Sequence, residues 1–289
     1  MTAEAAQGTG LRMGTPVVLG AGDGPCATAG AGAFEPGEAY HYLGGTSWIA
    51  AVADSYAPDP HARVSWFRAA GEGRFVAYGA VQSAGSSVEW FLDAIGTGDA
   101  QGDRYAALEA LAAESPAGAR GLFFLPYLQG ERAPIWDADA RGAFVGVSAA
   151  HNRADLARAV HEGVAFALGS VLRVFGELGI APGHVRALGG GMRSPLWRRI
   201  FAAVYGRPLD VMERLAEATS CGAAITAGIG VGLIPDWESA RRFAPIARTE
   251  EPSEDDTATY AKLQAFYETL YPALAERFAA LAEIQRQPG

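Results

Sequence analysis

Gly20-Ala-Gly-Asp-Gly24 follows an apolar run, Pro16-Val-Val-Leu19, that reads as a strand, and it precedes a small-residue run from Pro25 to Gly32 able to start a helix. Small residues on both sides let the backbone turn sharply and let a ligand come close. A carboxylate there, Asp23, stands at a strand end, where open α/β sheets bind ligands. The same position suits a helix N-cap, which Asp fills readily. Taken alone, the stretch leaves both roles open.

Residues 1–8 are small and polar without periodicity, and a flexible tail is expected there. Ala39–Leu43 and Trp48–Val52 read as two strands of a hairpin broken by Gly44-Gly-Thr-Ser47, a turn that offers backbone N–H groups and two hydroxyls. Val64–Phe67 and Phe75–Tyr78 extend the sheet, with Gly71-Glu-Gly73 as their turn. From Ser86 the spacing becomes helical, with Val88, Phe91, Leu92 and Ile95 on one face, and another helix covers about Tyr105–Ala113. Leu122–Leu125 has the continuous apolar character of a buried strand and leads into a loop rich in proline and charge.

Ser148 or Asn152 caps a long helix running to about Leu178, whose stripe includes Leu156, Val160, Val164, Leu168, Val171 and Phe175. Strand 185–188, helix 195–205, strand 209–212 and helix 220–231 then alternate, as expected of βαβ units with parallel strands. A last amphipathic helix covers about Asp255–Ile284, with Pro272 able to kink it. No linker divides the chain, so one α/β domain with a β-rich first third is expected over residues 9–289.

The formal charge of −9 argues against nucleic acid or an anionic membrane as partner, since both reward Lys/Arg patches. Two cysteines, Cys26 and Cys221, without C-x-x-C spacing suggest neither a disulfide framework nor a zinc site. They read as small buried hydrophobes. The five histidines show no ligand spacing, so no metal ligands are assigned. Neither a signal-peptide pattern nor a long uncharged apolar run is evident, and a cytoplasmic location is expected.

A third glycine cluster, Gly189-Gly-Gly-Met-Arg-Ser194, lies between a strand and a helix, with Ser194 as N-cap and Pro195 at the first helical position. Glycines before a helix let a flat or anionic ligand lie against free N–H groups, although a tight βα turn accounts for them equally. Convergence of the three glycine stretches on one side of a sheet would suit a nucleotide. Neither the G-x-G-x-x-G spacing, nor G-x-x-x-x-G-K-[ST], nor G-x-S-x-G fits this chain.

Thr9-Gly-Leu11 with Gly14-Thr-Pro-Val-Val18 and Gly20-Ala-Gly-Asp23 resembles the segment opening the second domain of the FGGY carbohydrate kinases, closest to the xylulokinases. Leu43-Gly-Gly-Thr-Ser47 resembles the family's second phosphate motif. Leu125-Pro-Tyr-Leu-Gln-Gly-Glu-Arg-Ala-Pro134 with Asp139-Ala-Arg-Gly142 resembles its loop ahead of the long helix. Gly189-Gly-Gly-Met-Arg-Ser-Pro-Leu-Trp197 resembles its adenosine motif, and Ser220-Cys-Gly-Ala-Ala224 its last glycine-bearing helix start.

The resemblance implies an actin-like, ribonuclease-H-like α/β domain with a mixed sheet, and ATP-dependent phosphorylation of a sugar hydroxyl, a ketopentose or related polyol. On it, Asp23 is the catalytic base. Gly44, Gly45, Thr46 and Ser47 cradle the phosphates, Gly189, Gly190, Gly191 and Ser194 line the adenosine pocket, and Mg²⁺ is reached through the phosphates and water. The family's first domain, which carries another phosphate loop and most sugar contacts, has no counterpart here, so a partner domain in cis or trans is expected. A non-catalytic nucleotide-binding or partner-binding module is the alternative, which would expose an apolar patch. Trp48 also departs from the family motif, which commonly has glycine there, a change that would narrow the phosphate loop.

Overall fold

A computed structural model describes residues 1–71, 73–97 and 102–286. Glu72, the centre of the expected Gly71–Gly73 turn, lies outside the described residues. The chain opens with α1 (Ala3–Thr9), α2 (Asp23–Gly30), β1 (Ala39–Leu43), β2 (Ser47–Ala53), β3 (Ser65–Arg68) and β4 (Phe75–Val81). It continues with α3 (Gly85–Ala94), α4 (Arg104–Ala113), β5 (Phe123–Leu125), β6 (Ala143–Val145) and α5 (Arg153–Glu177). Then come β7 (Val185–Leu188), α6 (Pro195–Tyr205), β8 (Leu209–Met212), α7 (Ala218–Gly230), α8 (Trp237–Ala240), β9 (Ile246–Glu250) and α9 (Glu254–Arg286).

Seven strands form one mixed sheet in the order β3-β4-β2-β1-β7-β8-β9. The β-rich first third supplies an antiparallel half, while β1, β7 and β8 run parallel, with α6 crossing between β7 and β8. Side-chain alternation divides the core into two layers. Leu43, Ile49, Ala51, Ala77 and Val81 face α5, α6 and α9. Tyr40, Ala50, Val52, Val76 and Leu188 face α2 and α7.

The axis of the first layer is α5. Asn152 and Asp155 form a reciprocal capping box at its start. Its end is a Schellman turn, in which Gly179 at φ +81° lets Ile180 N–H donate to Phe175 O and Gly179 N–H to Gly176 O. Leu168, Val171 and Phe175 are fully buried, each contributing roughly 1.5–3 kcal/mol by area removed from water. This is the one described helix long and apolar enough to cross a membrane, and it is mostly buried as the core of the domain.

Three expectations change. Pro16–Leu19 forms no strand: Val17 and Leu19 are exposed, and no neighbouring strand supplies a ladder. The opening residues coil into α1, capped by Thr2, with none of the helix buried. Finally, β9 pairs antiparallel to β8 and closes the sheet edge that the alternating pattern left parallel.

Candidate functional site

Two of the glycine clusters meet because two parallel neighbours end together. In the β1–β7 ladder Tyr42 pairs with Leu188, so Gly44 and Gly189 leave the sheet side by side at its C-terminal edge. The fit allows no side chain. A Cβ at Gly189, where φ is +92°, would lie 2.3 Å from Leu43 O, and one at Gly191 2.5 Å from the Leu43 side chain. Gly189 is buried and Gly191 half-buried, so both act as spacers against Leu43, and Gly190 is the exposed position of the cluster. Ser194 caps α6, its Oγ accepting from Trp197 N–H at 3.1 Å.

The Gly44–Gly45 turn is fixed by the start of α3. Ala84 and Gly85 N–H donate to Gly45 O and Gly44 O, each at 2.9 Å, and Ser86 N–H also donates to Gly45 O. A Cβ at Gly85 would lie 2.6 Å from Gly44 O, so the contact requires glycine there. With these carbonyls engaged, the N–H groups of exposed Gly45 and Thr46 have no protein acceptor among the described residues and are free for an anion. Gly85 is the position that sequence reasoning missed. It stands at a strand-to-helix junction, but the partner it needs is distant in sequence.

Ser47 is a correction to the expected phosphate cradle. It begins β2 opposite Leu43, so alternation turns it toward α5 rather than outward. Fully buried, its hydroxyl donates to Tyr42 O at 2.6 Å and lies 2.9 Å from His41 Nε2. Burial lowers the His41 pKa to about 3, so the neutral imidazole is the partner. Thr46 is left as the exposed hydroxyl of the loop.

Beside the third glycine cluster opens a cavity of 670 Å³ lined by Arg193, Arg214, Glu217, Ser220 and Cys221 among others. Of the Gly189–Ser194 stretch Arg193 lines it, together with residues from α7 and the segment after β8. Cys221 is half-exposed rather than buried. His161 and Glu162 are structural: His161 Nδ1 bonds Ala157 O, and Glu162 accepts from Arg158, Tyr260 and Gly118.

Asp23 is exposed in the first turn of α2 with Gly22 as N-cap, and its Oδ1 accepts from Gly24 N–H at 2.8 Å. Its place is set by the crossing of α2 with α7. A Cβ at Gly30 would lie 1.7 Å from Ala218 O, and one at Gly222 1.7 Å from Cys26 O. Between the Asp23 turn and the Gly44 turn runs a row of half-buried aromatics on the α2 face of the sheet. Tyr42 stacks on Trp48 with centroids 4.2 Å apart, Trp48 lies 6.2 Å from Tyr78, and Tyr78 lies 5.8 Å from Phe67. The Phe67 ring in turn covers Gly24. Tyr40 is pushed up to about 12 and Tyr78 is raised, both by burial first, with the Asp23 charge adding to each. The carboxylate therefore acts on this face.

The Glu131–Ala133 turn lies against β4 beyond the residues that pair with β3. Ala133 N–H donates to Ala80 O at 2.9 Å and Gln82 N–H to Glu131 Oε1 at 2.6 Å. Glu131 is buried with Oε2 unpartnered, and burial raises its pKa to about 8.

The chain matches the description "FGGY family of carbohydrate kinases, C-terminal domain" over residues 41–231. It is 29% identical over 285 residues to a xylulose kinase of Staphylococcus epidermidis, covering 98% of this chain and 56% of the relative. Among solved structures, a xylulose kinase from Rhodospirillum rubrum aligns with TM-score 0.88 at 33% identity, over 96% of this chain and 56% of that one. A gluconate kinase from Lactobacillus acidophilus aligns with TM-score 0.90 at 31% identity, over 97% and 56%. The chain thus spans about half the length of these relatives, and its mixed sheet has the actin-like architecture of sugar kinases. By sequence match and by fold, it belongs to the FGGY family of carbohydrate kinases, as a C-terminal domain.

Proposed function

We propose that this chain supplies the ATP-binding half and the catalytic base of an ATP-dependent kinase that phosphorylates a sugar hydroxyl, with the other wall of the cleft provided by an N-terminal FGGY domain in cis or in trans. The observation that carries this reading is the paired exit of the Gly44 and Gly189 turns from parallel β1 and β7, with Asp23 on the same side of the sheet. Free N–H groups at Gly45 and Thr46 suit the phosphates, and the cavity beside Arg193 suits the nucleoside. Among the described residues no three His, Cys, Asp or Glu side chains gather as a metal cage. A magnesium ion carried by the nucleotide phosphates and water would neutralise their charge.

The reaction follows from these positions. Asp23 accepts the proton of the acceptor hydroxyl as that oxygen bonds to the γ-phosphorus, and the bond to the departing ADP oxygen breaks. The acceptor is a ketopentose or related polyol, such as the xylulose or gluconate in the names of its relatives.

The test is ATP-dependent phosphorylation of xylulose and gluconate by this chain mixed with an FGGY N-terminal domain, with Asp23→Asn as control. A loss of about 10²- to 10⁴-fold with ATP binding intact is expected for the variant. Undiminished turnover in Asp23→Asn removes the base from the proposal. ATP binding without turnover in a docked mixture favours the non-catalytic module, for which the exposed Leu11, Met13, Val17 and Leu19 offer an apolar contact surface.

A further inference from the structure

Four helices, α4, α5, α6 and α9, meet around a small cavity of about 230 Å³. Ala113 ends α4 beside it and Ala117 follows, Arg158 enters from α5, Arg199 from α6, and Asp256 and Tyr260 from the first two turns of α9. The cavity shares no lining residue with the one beside Arg193. Arg158, only 8% exposed, is held in place by its neighbours. Its Nε donates to Glu162 Oε1 at 2.6 Å and its Nη2 to the Tyr260 hydroxyl at 2.7 Å, while that hydroxyl and Gly118 N–H donate to the same Glu162 oxygen. Two of the five guanidinium N–H donors are thereby used, and Nη1 has no acceptor among the described residues. Arg199 is exposed, and its guanidinium makes no hydrogen bond or ion pair among the described residues. The half-buried Asp256 carboxylate is likewise unpaired among them.

A guanidinium fixed along one edge and open along the other is ready for an oxyanion, because little rotamer freedom remains to be lost on binding. Phosphate suits two such groups, since its tetrahedral oxygens can accept from both forks at once. The charges around the cavity narrow the class further. Glu162 already offsets Arg158, so Arg199 is the net cation, and the Asp256 carboxylate repels a bare anion. A hydroxyl on the same ligand removes that conflict by donating to Asp256. Size sets the remaining limit: the cavity is smaller than the roughly 300 Å³ at which sites for drug-sized ligands begin, which admits a phosphate on a short carbon chain and shuts out a nucleotide.

We propose that this cavity binds a phosphate monoester of a short polyol, with the phosphate on Arg158 and Arg199 and a hydroxyl on Asp256. The inference stands apart from the kinase reading, since neither Asp23 nor the Gly44–Gly45 turn takes part in it.

The experiment titrates glycerol 3-phosphate, inorganic phosphate and glycerol into the full chain, reading affinity by calorimetry and location by the NMR signal of the Arg199 Nε–H, assigned through its loss in Arg199→Gln. Each variant is checked for native circular dichroism. Glycerol 3-phosphate is expected to move the Arg199 signal and to bind more tightly than inorganic phosphate, and glycerol to do neither. Arg199→Gln should weaken glycerol 3-phosphate about tenfold, the weight of one charge-assisted hydrogen bond, and Arg199→Lys should recover part of the loss. Asp256→Ala should tighten inorganic phosphate and abolish the preference for the ester. An Arg199 signal that stays still overturns the inference, even where calorimetry records binding elsewhere on the chain. So does an ester affinity unchanged in Arg199→Gln, inorganic phosphate bound as tightly as the ester by the wild type, or a preference that survives Asp256→Ala. Asp23→Asn should leave every one of these readings in place, so a chain that never phosphorylates a sugar defeats the kinase reading without touching this site.

Discussion

At Ser47 the hydroxyl that a phosphate-loop reading directs outward instead joins His41 and the Tyr42 carbonyl inside the sheet. Ser47→Ala removes a donor from a fully buried acceptor and leaves an imidazole nitrogen short of its partner. Denaturant unfolding should show a loss of about 1–3 kcal/mol, with ATP affinity unchanged. The sequence alone did not reveal this, because the turn and the strand share the string Gly-Gly-Thr-Ser. Which side a residue faces depends on whether the ladder begins at 47 or 48, and a shift of one residue exchanges the faces. Asp23 was legible for the opposite reason. The small residues around it leave it exposed at the start of α2, even though Pro16–Leu19 is not a strand.

Among the elements, α2 depends most on a single contact. Gly30 and Gly222 let two backbones touch, and a methyl group at Gly30 would fall 1.7 Å from the Ala218 carbonyl oxygen. Gly30→Ala should lower the denaturant midpoint at unchanged m-value, toward or beyond the upper end of the roughly 1–3 kcal/mol typical of overpacking. In the kinase proposed for this chain, turnover should fall more than nucleotide binding, because α2 carries Asp23, the proposed base. Helices with strong periodicity and good caps, α5 and α6, could be read from the chain to within a residue or two, since Asn152 and the Ser194-Pro195 pair mark their starts. Among the elements that escaped, α1 and β9 have exposed residues with no apolar face to announce them. Packing on a neighbour or an open edge defines them, and neither is a local property.

For the whole molecule, buried titratable groups set opposite limits on stability. Glu131 has a folded pKa raised to about 8 from an ordinary 4.5. Its contribution is complete below pH 4.5 and is lost as pH rises through 8. The pKa values of His41 and His161 are lowered by burial to about 3 and about 4, so their contributions are complete above pH 6.5 and are lost as pH falls through those values. Between pH 4.5 and 6.5 the two effects oppose each other. Thermal melting should therefore weaken from pH 6.5 to 8 and again below pH 4.5, and Glu131→Gln should flatten the alkaline limb while leaving the acid limb in place. A melting temperature that climbs steadily from pH 6.5 to 8 would contradict the burial of Glu131.

Leu43 touches both glycine turns at once, with its carbonyl under Gly189 and its side chain under Gly191, while its own strand continues into Gly44. A single residue thereby rivets the turn proposed to hold the phosphates to the turn proposed to flank the nucleoside. The two cannot loosen independently. In the kinase proposed for this chain, a change in how this half holds one end of a nucleotide would alter its hold on the other, and selection could adjust the two turns only as a pair.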